Sequence, residues 1–357
     1  MSVQNGVVPF GVYVHIPFCA RRCDYCAFAT WTDRHHLMDD YAAACRREIA
    51  EADLPQASSI FFGGGTPSLL AADLLCSILE AIPRRLDAEV TVECNPDSVS
   101  EQAFAAYRAA GVTRLSFGAQ STAAHVLASL GRSHRPGDLA AAVAMARAAG
   151  FTTFNVDLIF GAVGESVDDW ARTLDGVLAL EPPHVSAYAL TVEPGTPLAR
   201  DASRAPDDDD QAEKYALADA VLARAGLRNY EISNWARPGH ECRHNLLYWE
   251  QGDYRGIGCA AHSHEQGRRW WNVRTPERYI AAVANGRPPV AGSEELDAAG
   301  RRLEGLQLAL RTSSGVPAWA LPHDPLLDRY VERGADRVRL TVEGRLLANE
   351  VAVRLRS

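Results

Sequence analysis

The chain has 357 residues, 47% hydrophobic and 23% charged, with a formal net charge of -9. Such a composition suits a soluble globular protein with one large core domain and a smaller one. The acidic balance and the lack of any Lys/Arg-rich run argue against nucleic acid as a partner, and no apolar run reaches the roughly 18 residues of a membrane span. The start, "MSVQNGVVPFGVY", has neither a charged n-region nor a long apolar h-region. No signal peptide is expected, and the expected location is cytoplasmic. In a reducing compartment clustered cysteines bind metal or do chemistry more often than they pair.

Taken in chain order, short β-type runs alternate with helical patterns. The strands expected are 11–16, 59–62, 90–94, 114–118, 154–160 and 185–191. Between them lie helical patterns at Leu37 to Ala52 and about 71–82, 101–110, 138–149, 168–180 and 209–225. In the first of these Leu37, Tyr41, Ala44, Cys45, Glu48 and Ile49 share one face, and only Glu48 is polar. Ser100 and Ser166 read as helix N-caps, and Gly111, Gly150 and Gly226 as helix ends. Asp207–Asp210 reads as an acidic helix start. Six β-α repeats imply a parallel sheet with right-handed crossovers, two units short of a closed eightfold barrel. The expected fold is therefore α/β: a partial (β/α)6 TIM-like barrel, with ligands at the carboxyl ends of its strands.

Past residue 230 the pattern weakens. Residues 231–276 are rich in Gly, His and aromatics, without a clear period, and read as a connecting segment. Residues 277–357 read as a small winged-helix-like domain, with helices at 277–284, 294–311 and 325–333 and strands in "RVRLTV" and "VAVRLR". The division expected is a core domain over 1–230, the connection over 231–276 and the small domain over 277–357.

The first strand runs into "CARRCDYCAF", which spaces Cys19, Cys23 and Cys26 as C-x3-C-x2-C. Iron–sulfur clusters and structural zinc sites usually take four protein ligands. Three thiolates on a cubane leave one iron open to a small chelating molecule. The competing reading is a zinc site completed by His15 or a distant His. "FFGGGTPS" (61–68) follows the second strand; its glycines permit close backbone approach and its N–H groups are available to a polar head. There is no Lys after the glycines, so it is not a Walker A loop. Glu93, Gln120 and Asp157 are polar residues at the ends of, or within, successive strands. Each alone would read as a structural hydrogen-bonder, whereas together they favour a shared ligand. Cys45, Cys76 and Cys94 read as small core residues.

The C-x3-C-x2-C spacing after a strand resembles the radical S-adenosylmethionine (SAM) superfamily. "YVHIPFC", "GGGTPS", "VECNPD", "LSFGAQS", "LGRSH" and "FNVDLIFG" narrow the resemblance to a group within it. That group holds oxygen-independent coproporphyrinogen III dehydrogenase and the HemW-type haem chaperones, and nearly the whole chain is covered. The resemblance implies a [4Fe–4S] cluster on Cys19, Cys23 and Cys26 with SAM on the open iron, where a reduced cluster can cleave it to a 5′-deoxyadenosyl radical. It implies that Tyr13 and Tyr25 flank SAM and that Gly64, Gly65 and Thr66 touch its methionine end. Glu93, Gln120, Arg132 and Asp157 would line the rest of its pocket. Arg132 alone would read as a solvated helix-end charge.

Two departures separate the relatives. The dehydrogenase has a further Cys where this chain has Phe28, and an N-terminal extension, whereas Cys19 here lies nineteen residues from the start. "HNLLYW" (His244 to Trp249) matches the chaperones' H-N-x-x-Y-W, which implies haem binding with His244 as an iron ligand. The bland alternative is that these residues pack the open side of the barrel. A zinc site from His240, Cys242, His244, Cys259, His262 and His264 ranks low for its irregular spacing. The role of "GIGCAAHS" (256–263) is open. The expectation is a haem chaperone without coproporphyrinogen dehydrogenase activity, passing haem to acceptor haemoproteins such as respiratory enzymes at the membrane, with a homodimer compatible. The dehydrogenase itself is the rival.

Overall fold

The computed structural model describes residues 8–356; the leader reading rests partly on residues 1–7, outside that range. The first half repeats strand and helix: β1 Phe10–Ile16, α1 Met38–Glu51, β2 Ala57–Gly64, α2 Ala72–Ala81, β3 Arg84–Cys94, α3 Glu101–Ala110, β4 Arg114–Gln120, α4 Ala124–Ser129, α5 Asp138–Ala148, β5 Phe154–Phe160, α6 Val167–Leu178, β6 His184–Ala189 and α7 Asp208–Arg224. The caps lie where side-chain oxygens occur in the sequence. Ser100 accepts from the Ala103 N–H, Ser166 and Asp169 form a capping box, and Asp207 accepts from the Asp210 N–H.

β1–β6 pair in order and in parallel. Because side chains alternate along a strand, each presents two faces. One face carries Val12, Val14, Ile60, Phe62, Val90, Val92, Leu115, Phe117, Val156 and Leu158, all buried in the main core. The helices cover it, with Phe104 of α3 meeting Phe117 edge-on at 6.2 Å. The other face is polar: Tyr13, His15, Ser59, Thr91, Glu93, Ser116, Asn155, Asp157 and Ser186 alternate with those apolar positions. The architecture is the expected partial barrel, with its polar face inward.

After residue 224 the sheet continues through β7 Arg228–Glu231, β8 Asn234–Ala236, α8 Arg243–Trp249, β9 Asp253–Ile257, β10 His262–Glu265, β11 Arg268–Asn272, α9 Pro276–Ala284 and β12 Val290–Glu295. The strand order is β12-β11-β10-β9-β1-β2-β3-β4-β5-β6-β8-β7. β9 adds a further parallel strand beside β1, while β8 and β10 turn antiparallel. Segment 231–276 is thus built into the sheet and does not merely link two parts. Its strands are too short for a period to show.

A second core forms from Leu310, Val316, Leu321, Val338 and Val351. It lies among α10 Ala298–Leu310, β13 Val316–Pro317, β14 Val331–Arg333, β15 Arg337–Leu340, α11 Val342–Leu346 and α12 Ala348–Ala352. This three-stranded sheet with helices is compatible with a winged-helix-like module. Three details differ from the sequence reading. Residues 277–295, expected in the small domain, belong to the large one: Tyr279 and Val283 of α9 lie in the main core and β12 is an edge strand of the large sheet, so the helix expected at 294–311 starts only at Ala298. Residues 325–333 give one 3-10 turn and β14, where Pro325 and Asp324 cap a short turn and not a long helix. "VAVRLR" begins inside α12 although its residues alternate. Its apolar positions Val351, Ala352 and Leu355 fit one helical face turned to the second core.

"GIGCAAHS" also acquires a place. It forms the β9–β10 turn, and Gly258 has φ +97° with no room for a Cβ, which would lie 2.4 Å from Tyr41 Oη. Tyr41 Oη donates to the His15 carbonyl (2.7 Å) and accepts from the Cys259 N–H (2.9 Å). Glu48, the polar exception on α1, accepts from Gly258 N–H, Asn272 and Tyr279. The segment therefore fastens β9–β11 to the base of the cysteine loop.

Candidate functional site

At the carboxyl ends of β1–β6 lies a cavity of about 570 Å³, a size that suits one cofactor-sized ligand. Cys19, Cys23 and Cys26 line it. So do Tyr25, Gly64, Gly65, Thr66, Glu93, Gln120, Arg132 and Asp157. Eleven of the thirteen residues expected from the sequence therefore meet in one place.

The cysteine loop is held by backbone pairing. Cys19 N–H donates to the Trp31 carbonyl at 3.0 Å, Gly65 N–H to Ile16 at 2.8 Å and Thr66 N–H to Phe18 at 2.8 Å. Gly64 N–H donates to Glu93 Oε2 at 3.1 Å. The expectation that the N–H groups of the glycine run are free for a ligand therefore needs correcting. They tie the β2 end to the cysteine loop and to β3, and the glycines are there for the close approach. A Cβ at Gly65 would lie 2.7 Å from the Phe18 carbonyl oxygen and 3.1 Å from Cys19 Sγ. At Gly64, with φ +109°, it would lie 2.4 Å from the His15 ring.

Arg132 reaches the loop from the turn after α4. Its Nη1 donates to Cys23 Sγ at 3.5 Å, and its Nη2 donates to Asn95 Oδ1 and the Gly118 carbonyl, both at 2.7 Å. Its Nε is buried without a partner among the described residues, an orphan donor on a residue that lines the cavity. Asn95 donates onward to Thr66 Oγ1 at 3.2 Å. Thr66 Oγ1 donates to Cys19 Sγ at 3.7 Å. Asn95 is thus the hub between Arg132 and the glycine loop. It lies inside "VECNPD", and its position one residue past a strand end was the signal for it.

Glu93 pairs with Ser116 and Ser116 with Asn155, so Asp157 lies two residues further along its strand than the partner in line with Glu93. Gly118 pairs with Asp157, and Asp157 with Ser186. Ser116 Oγ donates to Asp157 Oδ2 and Asn155 Nδ2 to Asp157 Oδ1, both at 2.8 Å. Burial pushes Asp157 up, and these bonds oppose the push. Burial, aided by the nearby Asp157 charge, pushes Glu93 up to about 8. Glu93 is therefore neutral at pH 7 and becomes an anion when a cation arrives beside it. Gln120 holds φ +64°, a left-handed conformation that a residue with a Cβ adopts at a cost. Burial pushes the Cys19 and Cys26 thiols up as well.

These residues fit a cluster and SAM. Three cysteines line one cavity, a lining arginine carries a buried N–H without a partner among the described residues, and Gly64 and Gly65 let the backbone pass close to the cysteine loop. Among the described residues no three His, Cys, Asp or Glu side chains converge on a single metal ion. The zinc arrangement of His240, Cys242, His244, Cys259, His262 and His264 is not assembled. A cubane binds thiolates at separate corners and asks for no such convergence.

Two expected residues lie elsewhere. Tyr13 is on the inward face but below the cavity wall; it stacks on Phe61 at 6.4 Å, and its hydroxyl is 3.0 Å from His15 Nδ1. His244 lies at the opposite, amino end of the strands. Its Nδ1 is 3.0 Å from Ser59 Oγ, its Nε2 2.7 Å from Tyr248 Oη, and its ring stacks on Phe61 at 5.5 Å. Both nitrogens are engaged, and burial lowers its pKa to about 3. α8 caps the base of the barrel, with Glu89 accepting from the Arg243 and His244 N–H groups. To reach a haem iron His244 would have to give up the hydrogen bond of the ligating nitrogen, at a site buried in the base of the barrel.

Residues 13–177 match the radical SAM superfamily model. The chain is 45% identical to heme chaperone HemW of Mycobacterium tuberculosis, over 96% of this chain and 94% of that one. It is 32% identical to heme chaperone HemW of Bacillus subtilis, over 95% and 97%. Among solved structures it resembles coproporphyrinogen III oxidase (HemN) from Escherichia coli, a radical SAM enzyme. The TM-score there is 0.83, at 23% identity, covering 97% of this chain and 89% of that one. At that identity the likeness establishes a shared fold. No helix among the described residues is long and apolar enough to cross a membrane.

Proposed function

The chain belongs to the HemW family of radical SAM proteins, and from that premise we propose that it is a haem chaperone that binds a [4Fe–4S] cluster, SAM and haem and hands haem to acceptor haemoproteins. The observation that carries the cofactor part is the convergence of Cys19, Cys23 and Cys26 with Gly64–Thr66, Glu93, Gln120, Arg132 and Asp157 around one cavity. The haem part rests on kinship with the relatives named above.

Cys19, Cys23 and Cys26 would hold the cluster, which supplies an open iron for the amino and carboxylate groups of SAM. Arg132 places positive charge beside Cys23, with its Nη1 donating to the sulfur. Glu93 is a neutral carboxyl that ionises to meet a cationic centre of SAM. Asp157, fixed by Ser116 and Asn155, offers a preset acceptor with little freedom left to lose. Tyr25 packs against the apolar cluster that includes Ile159 and Leu190 and lines the cavity with the cysteines. The acceptors of this reading are haemoproteins such as respiratory enzymes at the membrane.

Anaerobic reconstitution tests the cofactor part. We expect roughly four irons per chain, as a cubane holds, and a change in the electron paramagnetic resonance spectrum of the reduced cluster on adding SAM. The change should be absent in Asp157→Asn/Glu93→Gln. A spectrum indifferent to SAM in the wild type would rule out an open iron at this cavity.

A further inference from the structure

The cavity mouth has features that SAM and the cluster do not use. Phe28 lines it yet is 67% exposed, and Tyr188 across the mouth is 39% exposed. Exposed aromatic rings on the rim of a cavity offer flat apolar area to a ligand that covers them. Arg21 and Arg22, from the same loop as Phe28, also line the mouth and are exposed. Neither forms an ion pair among the described residues; Arg22 Nη2 donates only to the Cys26 carbonyl, at 3.3 Å. The rim thus offers two unneutralised guanidinium groups and an aromatic surface on one loop, and a second aromatic surface from β6.

A planar, apolar molecule with two carboxylates matches that pattern. Haem is such a molecule: its porphyrin face is apolar, and its two propionates lie on one edge, where guanidinium groups bind carboxylates well. We propose that haem docks on the mouth of the cavity, with its face on Phe28 and its propionates toward Arg21 and Arg22. The cavity, at about 570 Å³, does not hold SAM and a tetrapyrrole together, so haem sits on the rim above the SAM-binding residues. The inference rests on the haem-carrying reading above. It places haem against the cluster loop and not at His244, whose nitrogens are both engaged at the other end of the strands. A ligand lying across the cysteine loop would respond to the state of the cluster beneath it.

The test is a haem titration of cluster-reconstituted protein, with binding read by the Soret band and by quenching of intrinsic fluorescence. Four ligand-and-protein combinations are compared: wild type with haem, wild type with haem dimethyl ester, Phe28→Ala with haem, and Arg21→Gln/Arg22→Gln with haem. Iron and sulfide content verifies that each variant keeps its cluster. The ester arm needs no variant and stands if the substitutions disturb the loop. The proposal expects each change to weaken binding about tenfold, the scale of a lost charge-assisted contact or stacking surface. It also expects iron-free protoporphyrin IX to bind nearly as well as haem, since neither contact uses the metal. Wild type that binds haem with equal affinity in every arm overturns the rim site and leaves the chaperone reading standing. Wild type that binds no haem overturns that reading, and the rim site with it.

Discussion

Replacing Glu93 with Gln separates stability from function in a way that can be calculated. The wild-type carboxyl has its pKa raised by burial to about 8, from an ordinary 4.5. Between those two values the folded protein binds a proton that the unfolded chain has lost, so stability falls as pH rises and levels off above about pH 8. At about 1.36 kcal/mol per pH decade, the cost to the fold is roughly 3 kcal/mol at pH 7. Gln carries no such penalty. Urea unfolding of SAM-free protein should show Glu93→Gln close to wild type near pH 5, and more stable by roughly 4 kcal/mol near pH 8. SAM affinity should move the other way and fall, because the buried anion that meets a cation is gone. Calorimetry of SAM binding to wild type in two buffers of different ionisation enthalpy should reveal up to one proton released below about pH 8. A stability difference between Glu93→Gln and wild type that is independent of pH would refute the reasoning, since it would mean Glu93 is ionised in the folded protein.

Other consequences follow from the packing. Gly64→Ala forces a Cβ to 2.4 Å from the His15 ring at φ +109°. It should cost roughly 2–4 kcal/mol in urea unfolding and lower the iron content of reconstituted protein. His244→Ala removes a buried ring with two hydrogen bonds and should cost roughly 2–4 kcal/mol of stability, while the Soret spectrum of bound haem stays that of wild type. A shifted Soret band at full occupancy would instead make His244 an iron ligand. Arg132→Met leaves Asn95 Oδ1 and the Gly118 carbonyl without their donor. SAM binding measured by equilibrium dialysis should weaken at least about tenfold, in keeping with two acceptors left without their charged donor.

The six β-α units were legible because each buries one apolar face under a helix, and that requirement writes alternation and helical period into the sequence. The caps at Ser100 and Ser166 were legible for a local reason, a side-chain oxygen three residues before an N–H. The strands between 228 and 295 were not, since short runs such as Asn234–Ala236 and His262–Glu265 take their pairing from β6 and β9, whereas the strand expected in "RVRLTV" is β15. The cysteine spacing and the strand-end polar residues pointed to one cavity. Which atoms of the glycine run stay free did not follow, because the partners of Gly64 and Gly65 lie on β3 and β1. His244 was misleading in sequence for a related reason. A His beside aromatics reads equally as a ligand or as packing, and only the Ser59 and Tyr248 contacts separate the two. Asn95, Ser116 and Asn155 gained their importance from parallel register, which no single stretch of sequence contains.

The most direct measurement of the central claim places one cluster-reconstituted, SAM-supplied preparation in two anaerobic assays. One mixes it, haem-loaded, with an apo-haemoprotein; the other gives it coproporphyrinogen III with a reductant. A haem carrier of the HemW family transfers its haem, seen as the spectrum of the filled acceptor, and leaves coproporphyrinogen unchanged. Conversion of coproporphyrinogen to vinyl-bearing product, with no haem reaching the acceptor, would contradict the account.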